Sequence, residues 1–249
     1  MSKNSKIRNG DVFKTNQGCE IVVIQYHSSS NIDVEFRDSS QYSLKTTAQR
    51  LRRGDINNPY LPRKYGIGYF GVGKYTSTVD NKPSPEYNSW GRMMQRCYCE
   101  NYRLKDPSYI GVQVCDEWLN FQNFAEWFHN QPNAGRKDFH LDKDLRVMGS
   151  KIYSPSTCSF IPRQVNALLN QHSRQRGSLR QGVKRYKNGF YSVISMYGEE
   201  KYLGCYPTEE ETYQVYKQAR ENYVRDVATR YKNDLHPEVY QNLMSWELD

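Results

Sequence analysis

The sequence predicts an α+β protein with a small N-terminal β-barrel, a central hairpin followed by a helix, and a C-terminal three-stranded sheet packed on a helix. Apolar and polar residues alternate over residues 31–37, which is typical of a half-buried strand. After Ser84 the apolar residues recur at three- to four-residue spacing, which indicates a helix. Short strands separated by turn residues return over residues 181–206.

The composition narrows the function classes. The 249 residues are 37% hydrophobic and 14% aromatic, which excludes general disorder. No apolar run approaches the roughly 20 residues of a membrane helix, and no apolar stretch follows the charged N-terminus. We therefore expect a soluble cytoplasmic protein with no membrane partner. The net charge of +8 favours a partner rich in phosphate, although a merely basic soluble protein would share that charge.

The N-terminal quarter of the chain is predicted as an auxiliary binding module rather than a catalytic one. Residues 1–66 hold strands at 12–13, 20–26 and 31–37 that we interpret as the small barrel. The basic stretch 49–54 is either a solvated face or a phosphate contact. Residues 67–83 are rich in glycine, lack the Lys-Ser ending of a phosphate loop, and are predicted to be a linker.

The cysteines predict buried thiols rather than a disulfide framework or a zinc site. Six cysteines in 249 residues are sparse for a disulfide-stapled fold. Cys97 and Cys99 are separated by one residue, whereas zinc knuckles use two to four. We therefore do not expect structural zinc.

Two helices are predicted before the central hairpin. Ser84 caps the first, with Pro85 in its first turn and an acid directly after it. Asp116 caps the second, and the aromatic residues along both helices are predicted to be core.

The central segment concentrates the polar residues that a catalytic site would use. His140, Asp142, Lys143 and Asp144 follow one another at the end of a predicted strand. A hairpin-like stretch with Gly149 comes next, then a strand at 157–161 and a helix that starts near Pro162.

This segment resembles the HNH, or His-Me finger, nucleases, and in particular the homing endonucleases encoded by phages. Their core reads Asp-His, a hairpin, Asn, and a helix that ends in Asn. The resemblance implies a ββα-metal domain over residues 84–173 and places the protein in the host cell of a phage. Asp142 and Asn166 take its two metal-binding positions, Lys143 takes the position of the general-base histidine, and Thr157 takes the middle asparagine.

The implied chemistry needs a hard divalent cation, Mg²⁺ or Mn²⁺, held by the oxygens of Asp142 and Asn166. We expect Asp142 to be an exposed ligand whose loss leaves the fold intact. The side chain of a lysine has a pKa of about 10.4, and neighbouring aspartates favour its charged form, so Lys143 is expected to be a poor base. Three readings stay open: Lys143 stabilises the charge on the phosphate, His140 replaces the base from the same strand face, or Asp142 and Lys143 merely pair in an inactive site.

The C-terminal segment, residues 174–249, is basic between residues 174 and 201 and predicts a three-stranded meander followed by a helix. Asn188-Gly189 is a hairpin signal, and Thr208 with Glu211 is a capping signature. Gly182-Val183, the strand at 191–194 and the residues 203–206 resemble the Apetala-two DNA-binding domain, whose sheet lies in the major groove. Strand alternation then selects the side chains on the outer face of that sheet, and the basic stretch adds cations. The predicted DNA-binding residues are Arg180, Lys184, Tyr186, Lys187, Tyr191, Ser195 and Tyr202.

The leading interpretation is a phage-type HNH-like endonuclease or nickase that binds duplex DNA through its C-terminal sheet. The alternative is a catalytically inactive DNA-binding protein on the same scaffold, acting as a regulator, a site-occluding factor or an anti-host factor. A third interpretation gives the N-terminal module a host protein as its partner.

Overall fold

The structure is a computed structural model that describes residues 6–169 and 179–248. It divides into two compact units. The first holds the described residues up to Asp106 together with Asp116–Glu126, and the second holds Pro107–Cys115 and the described residues from Trp127 onward. This division differs from the predicted boundaries, because most of the helical part of residues 84–173 belongs to the first unit. No helix in the described ranges is both long and apolar enough to cross a bilayer.

The first unit begins with a four-stranded antiparallel sheet in the order β1-β2-β3-β4. Its elements are β1 (Val12–Lys14), β2 (Glu20–Ser28), β3 (Asn31–Phe36), β4 (Ser43–Thr46) and the helix α1 (Ala48–Arg53). Ile32, Val34 and Phe36 are buried, as the alternation predicted. Strand β4 and helix α1 were not predicted, because segments of four and six residues are too short for a periodic signal.

The sheet is open, so the predicted barrel is wrong. Among the described residues β1 pairs only with β2 and β4 pairs only with β3, so β1 and β4 are the edge strands of the sheet. Ala48 and Leu51 of α1, together with Ile56, share a buried core with Ile21 and Ile32. A helix and the loop after it therefore cover the apolar face that a barrel would bury by closing on itself. The basic stretch 49–54 forms most of this helix.

The segment predicted as a linker, residues 67–83, packs as an ordered strap. The backbone N–H of Tyr69 donates to the carbonyl of Leu119 at 2.9 Å. The side-chain amide of Gln122 bonds both the N–H and the carbonyl of Tyr75, at 3.0 and 2.9 Å. The strap ends in a small hairpin of β5 (Thr78–Val79) and β6 (Lys82–Pro83).

The first predicted helix is confirmed, and the second is divided in two. The elements are α2 (Pro85–Tyr98), α3 (Glu100–Lys105), β7 (Gln113–Val114), α4 (Asp116–Leu119) and α5 (Phe121–His129). The Ser84 hydroxyl accepts from the N–H of Tyr87, which caps α2 as expected. Between α4 and α5 the N–H of Phe121 donates to the carbonyl of Tyr69, so a bond to the strap replaces a bond along the helix. Trp90 and Phe121 are fully buried, which confirms their prediction as core.

The second unit contains the strand–strand–helix arrangement that the sequence predicted. Its elements are β8 (Phe139–Asp142), β9 (Ile152–Tyr153), β10 (Ser159–Pro162) and α6 (Arg163–Leu168). Strand β8 pairs antiparallel with β10, while β9 pairs parallel with β7. Strand β10 starts two residues later than predicted, because the Thr157 hydroxyl holds a turn by donating to the carbonyl of Ile152 at 2.7 Å.

The C-terminal meander is confirmed as a three-stranded antiparallel sheet in the order β11-β12-β13. Its elements are β11 (Val183–Tyr186), β12 (Gly189–Met196), β13 (Glu199–Tyr206), α7 (Glu209–Arg230) and α8 (Pro237–Met244). Thr208 and Glu211 form the predicted capping box of α7. The beginning of α7 packs on Val183 and Ile194 of the sheet. Its second half packs with α6 and α8 in another core, so α8 docks on the preceding elements as predicted.

Candidate functional site

The β8–β10 pair has one face directed toward α6 and α7. His140 is paired with Ile161, and Asp142 with Ser159, so these four residues share a face. Ile161 lies in the same buried core as Val165 of α6. The opposite face carries Phe160, whose ring stacks on Trp127. Asp142 therefore lies on the sheet face against which α6 packs.

Asp142 is buried, with 8% of its surface exposed, so the expectation of an exposed ligand is wrong. Its Oδ2 atom accepts from the backbone N–H groups of Asp144 and Leu145, at 3.0 and 2.8 Å. Burial raises the pKa of the carboxyl from 3.8 to about 6, against the opposing effect of the two N–H donors. The carboxylate is thus fixed by its own loop and poorly solvated.

Lys143 is buried beside it and fully engaged. Its Nζ donates to Asp144 Oδ1 at 2.5 Å and to the carbonyl of Ser150 at 2.8 Å, and it lies 5.8 Å from the ring centre of Tyr153. An ammonium that donates to a carboxylate and a carbonyl has no lone pair with which to accept a proton. Lys143 thus joins the two ends of the loop 143–150. The residue at the predicted general-base position therefore stabilises the loop.

The other residues singled out from the sequence have different surroundings. Asp144 is exposed apart from its ion pair with Lys143. His140 is half-buried on the face of Asp142. Asn166 is half-buried on α6, one residue after the buried Val165. Thr157 holds the turn before β10, a scaffold role rather than contact with the carboxylate.

Ser159 was missed by the sequence analysis. Its hydroxyl is buried, has no hydrogen-bond partner within the described ranges, and is paired with Asp142 across the strands. Strand alternation back from the apolar Ile161 could have placed it on the face of Asp142. A buried hydroxyl without a partner is costly, which marks this position as one where a ligand or water would be held.

The donor set suits a hard cation. Asp142 supplies a carboxylate and Ser159 an unpartnered hydroxyl on one face of the β8–β10 pair, both oxygen atoms of the kind that Mg²⁺ prefers. Asn166, the other predicted ligand, lies on α6, the helix that packs on that face. In the described part of the chain, no three residues among His, Cys, Asp and Glu gather as a metal-binding group. A cation here would therefore depend on two or three oxygen donors plus water.

We expect Asp142→Asn to stabilise the metal-free protein against unfolding, and to do so more strongly at pH 8 than at pH 4. Because the folded pKa lies above 3.8, at about 6, the folded state binds more protons than the unfolded chain between these values. Wild-type stability therefore falls as pH rises through this window, and the penalty persists above it. The asparagine variant should gain up to about 3 kcal/mol relative to wild type between pH 4 and pH 8. Urea unfolding at both pH values measures the difference, and a pH-independent difference would contradict the burial of the charge.

The outer face of the C-terminal sheet carries three tyrosines side by side. Tyr186, Tyr191 and Tyr202 come from three successive strands, with ring centres 6.2 and 6.3 Å apart. Tyr186 and Tyr202 are 51% and 64% exposed. Lys184 lies 5.8 Å from the Tyr191 ring centre, and Lys187 lies 5.3 Å from that of Tyr186. These five residues are called the tyrosine face below.

Two other predicted DNA-binding residues do not belong to the tyrosine face. Ser195 is exposed on the same side of the sheet, and its cross-strand partner is Glu200, an acid that is not among the predicted DNA-binding residues. Glu200 lies 3.7 Å from Lys184. Arg180 instead donates to Glu210 at 2.6 Å and lies over the ring of Tyr213, on the helix side of the sheet. The basic residues Arg174 and Arg176 lie outside the described residues.

The hairpin that presents Lys187 differs from its prediction. Lys187 and Asn188 form the turn, with Lys187 at φ 46°, while Gly189 pairs with Tyr186 inside the strand. A side chain at Gly189 would meet the carbonyl of Tyr206 at 2.9 Å. The glycine is therefore required by the neighbouring strand rather than by the turn.

No family model, curated protein or solved structure matches this chain.

Proposed function

We propose that this protein binds duplex DNA through the tyrosine face of its C-terminal sheet. The supporting observation is a set of three neighbouring rings and two ammonium groups on one face of the sheet, with Tyr186 and Tyr202 exposed and Tyr191 half-buried, while α7 covers the other face. Ammonium groups contact phosphates, and tyrosine hydroxyls reach phosphates and groove edges. The resemblance of residues 178–225 to Apetala-two domains supports the same use of the sheet.

The position of the two lysines sets the kind of contact. Lys184 is on the edge strand β11, and Lys187 is at the tip of the hairpin that follows it, so both can approach one backbone along the face. Glu200 partly neutralises Lys184, and binding to a phosphate would have to compete with that ion pair. The exposed pair is weak in water, so the competition costs little.

We expect the logarithm of the duplex binding constant to fall linearly with the logarithm of the salt concentration. The slope should be about −0.9 for each phosphate neutralised. Lys184→Gln combined with Lys187→Gln should lower the slope by about 2, one for each lost contact. Fluorescence anisotropy with a labelled duplex at several salt concentrations measures it. Lys82→Gln with Lys232→Gln removes the same charge from exposed positions off the sheet and should leave the slope unchanged. Equal slopes for both double variants would contradict the proposal.

The β8–β10–α6 segment supports a second candidate function, divalent-metal-dependent cleavage or nicking of the bound DNA. Its supporting observation is the buried Asp142 on the sheet face that α6 covers, beside the unpartnered hydroxyl of Ser159. Asp142 and Asn166 would hold Mg²⁺ or Mn²⁺, which supplies charge neutralisation at the phosphate. Since Lys143 is engaged as a donor, we assign the role of taking a proton from water to His140, which lies on the strand face of Asp142.

In the inactive alternative the same residues only hold the loop. Asp142 binds two backbone N–H groups and Lys143 bridges Asp144 to Ser150, which together would stabilise a scaffold without chemistry. Incubation of supercoiled plasmid with Mg²⁺ or Mn²⁺ separates the two, with Asp142→Asn as the control. Nicking by the wild type that the variant lacks supports cleavage, and no nicking by either leaves a DNA-binding protein.

A further inference from the structure

A cavity of about 640 Å³ lies in the first unit, remote in sequence from the residues discussed above. It is lined by loop residues next to strands of the N-terminal sheet, by the segment 57–63 that follows α1, and by residues of the strap. Its volume is in the range of about 300–1,000 Å³ typical of small-molecule sites. The lining residues that matter here are Gln17, Tyr42, Asn57, Arg63, Phe70 and Ser77.

The cavity offers a flat apolar surface. Phe70 is 37% exposed, and its ring stacks on the buried Phe121 with centres 5.1 Å apart, which fixes its plane. Gly71 follows it in the lining, and a side chain there would collide with Asn120. The Asn120 side chain therefore fills the space beside Gly71, and the exposed part of the Phe70 ring is the surface that a planar ligand can contact.

The polar part of the lining is cationic and rich in amides. Arg63 is exposed, and its backbone is fixed by an N–H bond to the carbonyl of Gly68 at 3.0 Å. Gln17 uses its Oε1 to accept from the N–H of Asn58 at 2.7 Å, so its NH₂ group stays available as a donor. No Asp or Glu is among the lining residues that the structure describes. The charge complement of this cavity is an anion.

We propose that the cavity binds an unpaired nucleotide, with the base stacked on Phe70 and the phosphate paired with Arg63. A planar heteroaromatic ring joined to a phosphate matches an exposed aromatic face beside a guanidinium and side-chain amides. The amides of Gln17 and Asn57 are the groups placed to bond the base edges. This site is independent of the tyrosine face, so the N-terminal unit would contact a free nucleotide or an unstacked base in nucleic acid.

The test uses the full-length protein and the 5′-monophosphate of 2-aminopurine deoxyriboside, whose fluorescence is quenched by stacking. Saturable quenching is expected, with affinity at least about tenfold higher than for the nucleoside without phosphate. Phe70→Leu keeps the apolar contact with Phe121 and should abolish most of the quenching. Arg63→Gln should make the nucleotide bind no better than the nucleoside. Lys105→Gln, which removes a charge from an exposed residue of α3 outside the lining, should match the wild type.

The results that overturn the proposal are equally defined. Equal quenching in wild type, Phe70→Leu and Arg63→Gln would show that the nucleotide binds elsewhere, provided that circular dichroism shows all three folded. Displacement of the probe by an acidic peptide but not by deoxyadenosine monophosphate would show that the cavity takes peptide carboxylates. The double variant Lys184→Gln with Lys187→Gln should keep the quenching, which separates this site from duplex binding.

Discussion

Replacing His140 by glutamine is expected to slow metal-dependent nicking of supercoiled plasmid by about 10²–10⁴-fold, the loss typical of a missing general base. The residue is half-buried on the strand face of Asp142, and the neighbouring Lys143 is held as a donor by Asp144 and Ser150. The measurement is the initial rate of open-circle formation in Mg²⁺ or Mn²⁺. Duplex affinity should stay at the wild-type value, because the tyrosine face is untouched.

The Lys143→His variant distinguishes the outcomes. If Lys143→His nicks the plasmid while the wild type does not, the wild-type site is catalytically inactive and His140 does not act as a base. If wild-type nicking survives His140→Gln unchanged, the proton is taken elsewhere and the assignment of His140 is wrong. Neither result touches the DNA-binding proposal, which rests on a different sheet.

Replacing Gly182 by alanine is expected to destabilise the second unit by about 2–4 kcal/mol. Gly182 has φ 79°, and a methyl group there would collide with the ring of Tyr216 in the core beneath the sheet. Strain and overpacking therefore add at one position. Urea unfolding followed by circular dichroism measures the loss, and duplex binding should fail at the denaturant concentration where the sheet unfolds.

Gly198→Ala is the matched control. Gly198 also has a positive φ, 86°, but a methyl group there would meet nothing within 4 Å. Its cost should be about 1 kcal/mol, the backbone strain without the collision. Equal costs at both positions would contradict the packing of Tyr216 against the start of β11.

The parts of the fold that the sequence predicted are those with strong local signals. Ser84 with Pro85 fixed the start of α2, and Thr208 with Glu211 fixed that of α7. The barrel was wrong because alternation predicts which strand face is buried but not what covers it. The covering residues, Ala48 and Leu51, lie in a helix too short to be recognised.

The candidate site was predictable in its strand order but not in its contacts. Sequence reasoning placed Asp142 before a turn and Asn166 on a helix, which the elements confirm. It could not predict that the loop folds back so that Lys143 donates both to Asp144 and to the carbonyl of Ser150. Those contacts depend on tertiary pairing, for which no local pattern exists.

The tyrosine face shows the same division. Alternation placed Lys184, Tyr186 and Tyr191 on one face, and the strand register agrees. Tyr202 joins them although β13 shifts register opposite Ser192 and Val193. Arg180 was grouped with them by charge, but its ion pair with Glu210 holds it on the helix side.

The central claim is tested most directly by mapping where duplex DNA contacts the protein. A duplex carrying 5-iodouracil, whose iodine lies in the major groove, is irradiated with the full-length protein, and cross-linked peptides are identified by mass spectrometry. Binding through the tyrosine face predicts cross-links at Tyr186, Tyr191 or Tyr202. A cross-link to Tyr202 should be lost in the double variant Tyr191→Phe with Tyr202→Ser. Cross-links confined to the first unit or to the helix side of the C-terminal sheet, with none in residues 183–206, would contradict it.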